Sequence, residues 1–304
     1  MTRVPWIPLV AALAMISADG SASQTKDSAW PETAPPKWVM LVYQKFPIDK
    51  MVASGKALAA AARACADLDV PNSWIVMESV TAEPEMLSFD PFDSFAHIEK
   101  AFAAWGPIYA AHSELGKAQA QIVGSLVSQR TIVAVRREDL SYRANRIDLS
   151  KTRFMRVLEV RLHPGRENDF AEAFQKLSAA YEKTDSVLHW VVYQVNAGMP
   201  SPAFFAFVPM KTLAQNDDLL NLRERLREAE GDAAERMQQI AREAYASMES
   251  NLYAISPDKS HVSKEFAAGD SQFWTGKPQP SAAEKGLKRK ERKEQVQPPM
   301  KPTE

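Results

Sequence analysis

Two hydrophobic periods alternate along the chain, and the switches between them mark out its elements. Residues 39–44 and 155–161 are short runs of strand-forming residues, and each is followed by a proline, Pro47 or Pro164, after which a helical period begins. Phe170, Phe174, Leu177 and Tyr181 sit at the steps that place them on one apolar face of a helix. Residues 72–79 and 189–196 then read as strands, and 86–90 and 203–208 follow too soon for a helix between, which predicts two antiparallel hairpins. After Pro91 and Pro209, Asp93-Ser94 and Thr212 are suited to cap further helices. The first of these breaks at Gly106-Pro107 before resuming over 108–123. The second runs over 213–227 and continues past Gly231 through Met237, Ile240, Ala241, Ala244 and Met248. Strands at 131–139 and 251–259 close the two series.

The landmarks recur in order. Trp74 and Trp190 lie 116 residues apart, Pro47 and Pro164 117, Pro91 and Pro209 118, and the closing strands 120. An offset that drifts slowly upward is what a few inserted loop residues produce, so the chain reads as one unit of about 117 residues used twice. Each unit has the order β-α-β-β-α-β, the ferredoxin-like topology, an antiparallel sheet covered on one face by helices. The expected fold class is therefore α+β: two tandem ferredoxin-like units, at 37–145 and 150–260, packing sheet to sheet as an intramolecular α/β barrel around an inner cavity. Because the two units can pair within one chain, a monomer suffices.

Alternation along the strands nominates cavity residues. Trp190, Val192 and Gln194 share one row, and Trp74, Val76 and Glu78 share the corresponding one. Gln44 joins Met40 and Val42, and Glu159 and Arg161 join Val157. The candidate ligand-binding residues are therefore Trp74, Glu78, Glu159, Arg161, Trp190 and Gln194, with the tryptophans as apolar walls and the polar groups orienting a small molecule. The complementary rows, Leu41 with Tyr43 and Leu158 with Val160, are expected to face the helices. The same residues also fit an ion pair at a sheet interface and two core tryptophans. His97 and His112, on helices of the first unit, are the candidate haem-binding residues or general bases. None of the histidines has a metal-ligand spacing, so no metal site is expected.

The segment VRLHPGREND followed by Phe170, a helix and then a tryptophan-bearing strand resembles the dimeric α/β-barrel superfamily, which includes antibiotic-biosynthesis-type monooxygenases and NIPSNAP-like proteins. The resemblance extends over roughly residues 37–260 in two copies. It implies the barrel fold and leaves the chemistry open among cofactor-free oxygenases, haem proteins, isomerases and members without catalysis. Three functions follow: small-molecule binding in the inter-sheet cavity, a cofactor-free or haem-dependent oxygenase, or a non-catalytic interaction module.

Composition narrows the setting. The 304 residues are 45% hydrophobic with a net charge of −1, enough for a large core and without a field to recruit nucleic acid. Arg3, the apolar run 4–16 and the small residues 21–23 form a signal peptide over 1–23, so export to the periplasm or beyond is expected, with a mature chain from near Gln24, a linker over 24–36 and no membrane span. Cys65, the single cysteine, precludes an internal disulfide and reads as a buried small hydrophobe. Residues 277–304 are polar and basic and are expected to be disordered. No nucleophile-elbow, P-loop or dinucleotide motif is present.

Overall fold

The computed structural model describes residues 33–275, apart from 67, 82, 185–186, 218–219, 222–223 and 225–230 and the side chains of 231–234. The signal-peptide and tail expectations lie outside the described residues, as does most of the linker and part of the expected helix over 213–227. The first unit contains β1 (Trp38–Lys45), α1 (Met51–Cys65), β2 (Trp74–Ser79), β3 (Glu85–Phe92), α2 (Phe95–Ala111), α3 (Ser113–Ser125) and β4 (Ser128–Tyr142). The second contains β5 (Phe154–Leu162), α4 (Glu167–Glu182), β6 (Trp190–Ala197), β7 (Ala203–Met210), α5 (Gly231–Ala244) and β8 (Tyr245–His261), followed by the short helices α6 (Lys264–Ala268) and α7 (Ser271–Trp274). All pairings are antiparallel, in the orders β4-β1-β3-β2 and β8-β5-β7-β6. The two sheets join through β2 with β8 and β6 with β4, closing an eight-stranded barrel with helices outside.

Local chemistry explains the element boundaries. Ser94 has extended backbone and its hydroxyl accepts from the His97 N–H at 3.1 Å, which starts α2. That helix does not break at Gly106-Pro107 but continues to Ala111. Trp105, 2% exposed and donating to Asn72 Oδ1 at 2.8 Å, anchors it against the sheet beside the proline, which outweighs one missing backbone bond. Helix α5 ends at Ala244, so Met248 belongs to a strand, opposite Val160.

The rows of side chains are assigned differently from the sequence expectation. Leu41, Tyr43, Ile75, Met77, Val191 and Tyr193 point into the barrel, with Met155, Val157, Phe205 and Phe207. Trp74 and Val76 instead pack with Leu58, Cys65, Trp105 and Ile122 under the helices of the first unit. Trp190 and Val192 pack with Phe170, Phe174 and Tyr181 under α4. On β5 the expectation holds: Val157 is internal while Val160 faces the helix. The first strands of the two units are also out of step with the prolines that follow them. Pro91 lies opposite Val39 and Pro209 opposite Met155, so the first strands correspond at an offset of 116 rather than the 117 of Pro47 and Pro164. The inserted residue falls before Pro164, and a slip of one residue exchanges the two faces of a strand.

The two seams that close the barrel are built alike. The Trp74 indole donates to the Lys259 carbonyl on β8 at 3.0 Å, and the Trp190 indole donates to the Leu140 carbonyl on β4 at 3.0 Å. Beside them the pairing shifts register, and a serine fills the gap. Ser260 Oγ accepts from the Val76 N–H at 2.9 Å and donates to the Ser256 carbonyl. Ser141 Oγ accepts from the Val192 N–H at 2.9 Å and donates to the Arg137 carbonyl. At one end of the barrel Ile147, Leu149, Phe266 and Trp274 join the internal core and plug it. Residues 33–36 of the expected linker are held there, since the Tyr193 hydroxyl donates to the Pro36 carbonyl and the Leu149 N–H to Thr33.

Two outcomes follow. Ser141→Ala and Ser260→Ala each leave a strand N–H without its acceptor and should cost about 1–2 kcal/mol, additively in the double variant, as read from denaturant midpoints. Equal stability of the double variant and the parent would refute the seam account. Asp90, 6% exposed on the helix-facing row opposite Met40, is pushed up to about 7 by burial, against the hydrogen bond it accepts from Ser88. The folded state thus holds a proton that the unfolded chain has released above the ordinary carboxylate range. The stability this contributes is fully present below about pH 4 and is lost as pH rises toward 7. Asp90→Asn should remove that fall, on the order of 3–4 kcal/mol at most, so that the variant gains on the parent between pH 5 and pH 8.

Candidate functional site

The end of the barrel opposite the plug is open and polar. Continuing the internal rows past Leu41, Leu87, Ile132, Val157 and Ile255, the strands present Tyr43 and Lys45 on β1, Glu85 on β3, Arg130 on β4, Glu159 on β5 and Tyr253, Asn251 and Glu249 on β8. With Ser128 and Gln129 they line a cavity of about 330 Å³, at the lower end of the range for small-molecule sites. Strand alternation explains the placement. Residues apolar at the barrel's middle become polar where the same rows approach solvent.

Three contacts organise the cavity. The Arg130 guanidinium donates to Glu159 Oε2 at 2.8 Å, linking the two units across the opening, and lies 4.9 Å from the centre of the Tyr43 ring. The Tyr253 hydroxyl donates to Glu85 Oε1 at 2.5 Å, again from one unit to the other. Lys45 is engaged outward with Glu83 at 2.5 Å. Tyr43 is 8% exposed, yet its hydroxyl makes no hydrogen bond with any described residue and opens into the cavity. Burial, reinforced by the nearby Glu159 charge and opposed by Arg130, raises the Tyr43 hydroxyl well above the usual tyrosine range. Burial, then Tyr43 and the bond to Glu85, raise Tyr253 too. Both stay neutral phenols, able to donate and to accept.

Of the six residues nominated from sequence, only Glu159 lines this cavity. Arg161 shares its row but lies beyond the lining. Glu78 is on the outer side, paired with Lys259 at 2.8 Å and bonded to Ser256. Gln194 accepts from Arg137 at 2.7 Å on the helix-facing row. Trp74 and Trp190 belong to the helix-covered cores and the seams. Tyr43, Glu85, Arg130, Glu249, Asn251 and Tyr253 were not nominated. The signal for the first was available, because aligning the units on the tryptophan pair, 116 apart, sets Tyr43 against Glu159.

His97 and His112 both lie away from the cavity. His97 stands at the start of α2, 3.5 Å from Asp93 and edge-on to Phe92, and His112 is exposed at the junction of α2 and α3. Neither reaches the cavity, whose lining contains no histidine, cysteine or methionine. Neither histidine is therefore placed to hold a haem in the barrel. Cys65 is buried, its thiol pushed up to about 12 by burial, which is the state of a packing residue rather than a nucleophile. No group of three or more metal-ligating side chains occurs among the described residues.

No protein-family model matches the chain, and no curated protein matches it. Solved structures do. An anthrone oxidase-like protein is similar at 11% identity and a TM-score of 0.49, over 74% of this chain and 93% of that one. A candidate monooxygenase from Lactobacillus acidophilus is similar at 6% identity and 0.46, over 74% and 96%. A chlorite dismutase variant from Candidatus Nitrospira defluvii is similar at 9% and 0.41, over 74% and 93%. The observed topology, two four-stranded βαββαβ sheets closed into one eight-stranded barrel with the helices outside, is the fold that the sequence resemblance implies, built within a single chain.

Proposed function

We propose that this chain is an exported small-molecule-binding protein whose ligand enters the open end of the barrel. The observation that carries the reading is a cavity of about 330 Å³ into which Tyr43, a residue only 8% exposed, turns a hydroxyl that has no hydrogen-bond partner among the described residues. A hydroxyl that opens into a cavity and is not engaged by the protein is available to orient a ligand there. The surrounding groups are pre-positioned by contacts between the two units, so ordering them adds little to the cost of binding. Export is supported by the cationic start, the apolar run 4–16 and the small residues 21–23.

The reading is tested on the domain pair secreted from its own full-length sequence. Mass spectrometry should find the secreted chain starting near Gln24. Compounds from a small-molecule library that raise its melting temperature should lose their effect in Ser128→Trp, which fills the exposed rim, while the unliganded melting temperature stays within about 2 °C of the parent. Thermal shifts that survive Ser128→Trp unchanged would place the ligand elsewhere and refute the proposal.

A further inference from the structure

The internal residues at the open end are not arranged symmetrically, and the asymmetry is one of charge. In the first unit Tyr43 lies directly opposite Arg130, and in the second the equivalent strands set Glu159 directly opposite Glu249. Like charges facing each other across an antiparallel pair are unfavourable. Arg130 reaches across the opening and bonds to Glu159. Glu249, exposed on β8, is among the charges felt by Tyr43, which offers it no positive charge, and it has no ion pair among the described residues. A second carboxylate is also left over. Glu85, 7% exposed, receives only the Tyr253 hydroxyl at its side chain. Lys45, paired with Glu83, also feels the charges of Glu85 and Glu249, yet the lining sets three carboxylates, Glu85, Glu159 and Glu249, against two cations, Lys45 and Arg130, and so keeps a net negative charge.

From this geometry we infer that the ligand is a small organic cation, a protonated primary amine whose ammonium group binds between Glu249, Glu85 and the Tyr43 hydroxyl. The inference rests on the small-molecule reading of the same cavity and names its ligand class. An ammonium group supplies three N–H donors, two for the carboxylates and one for the phenol oxygen. Charge-assisted bonds of this kind are the stronger ones, and here they form in a partly desolvated site. The Arg130 guanidinium, resting over the Tyr43 ring and bonded to Glu159, shows the same walls already accommodating one cation. The absence of a metal-ligand cluster among the described residues separates an organic cation from a metal ion.

The test is calorimetric titration of the secreted domain pair at pH 7 with benzylamine, phenethylamine and n-butylamine, each against the alcohol and the carboxylate of the same skeleton. At least one amine should bind ten times or more tightly than its alcohol, and the matching carboxylate should not compete. Glu249→Gln, an exposed substitution that leaves folding intact, should weaken the amine about tenfold and leave the alcohol unchanged. Glu85→Gln should do the same where it folds. An alcohol or carboxylate binding as tightly as its amine, or indifference of the amine to Glu249→Gln, overturns the cation assignment while the cavity reading stands. Failure of all nine compounds to bind or to shift the melting temperature overturns the assignment, and the library screen with Ser128→Trp then decides the cavity reading separately.

Discussion

Closure of the two sheets into one barrel is the constraint on which the rest of this structure depends. A four-stranded sheet with helices on one face leaves its other face bare, and each sheet alone also has two unpaired edges. Joining them edge to edge solves both problems, because the bare faces become the inside of a barrel and the edges disappear. The seams are held by the same device twice: an indole N–H donated to the neighbouring strand's carbonyl, and a serine hydroxyl placed where the register shifts and a backbone N–H would be stranded. The tryptophans also fill the space under the helices. One side chain thus couples sheet closure to helix packing in each unit.

Closure also explains why the two ends differ. Helices α6 and α7 and the segment around Ile147 and Leu149 bring large apolar side chains to one opening, which extends the internal core and seals it. Among the described residues, the cavity at the other opening is lined by strand residues. The polar residues there bond mainly between units, Arg130 to Glu159 and Tyr253 to Glu85, so the cavity exists only because both halves are present. Its lining is not duplicated. The positions equivalent to Glu85 and Tyr253 are Ala203 and Ala134, one pairing partner per strand, so the hydrogen-bonded pair on one side corresponds to two alanines on the other. Two units with one architecture therefore make one site.

Much of the fold was legible from residue order. The hairpins, the helix face of Phe170, Phe174 and Tyr181, the recurrence of tryptophan and proline and the βαββαβ order all rest on local periodicity and turn chemistry, which a chain carries with it before it folds. Val157 and Glu159 were also placed on the correct face. The site was much less legible. Trp74 and Trp190 suit a cavity wall as well as a helix-covered core, and alternation alone does not say which face of a strand is which. On β1 the row ending in the polar Gln44 was set inside and Tyr43 with Leu41 outside, whereas the barrel takes the Leu41 and Tyr43 row inward.

The sequence by itself determined the two units, the order and type of their elements and the buried role of Cys65, because these follow from periodicity, from the backbone limits of proline and from the chemistry of single residues. Tertiary structure alone decided which rows look inward, which end is plugged and which carboxylates lack a counter-charge. Those properties depend on pairing between residues far apart in the chain, Glu159 with Arg130 and with Glu249, Tyr253 with Glu85, and no local pattern specifies the partner. A cavity whose charges are balanced only between units comes into existence when the barrel closes.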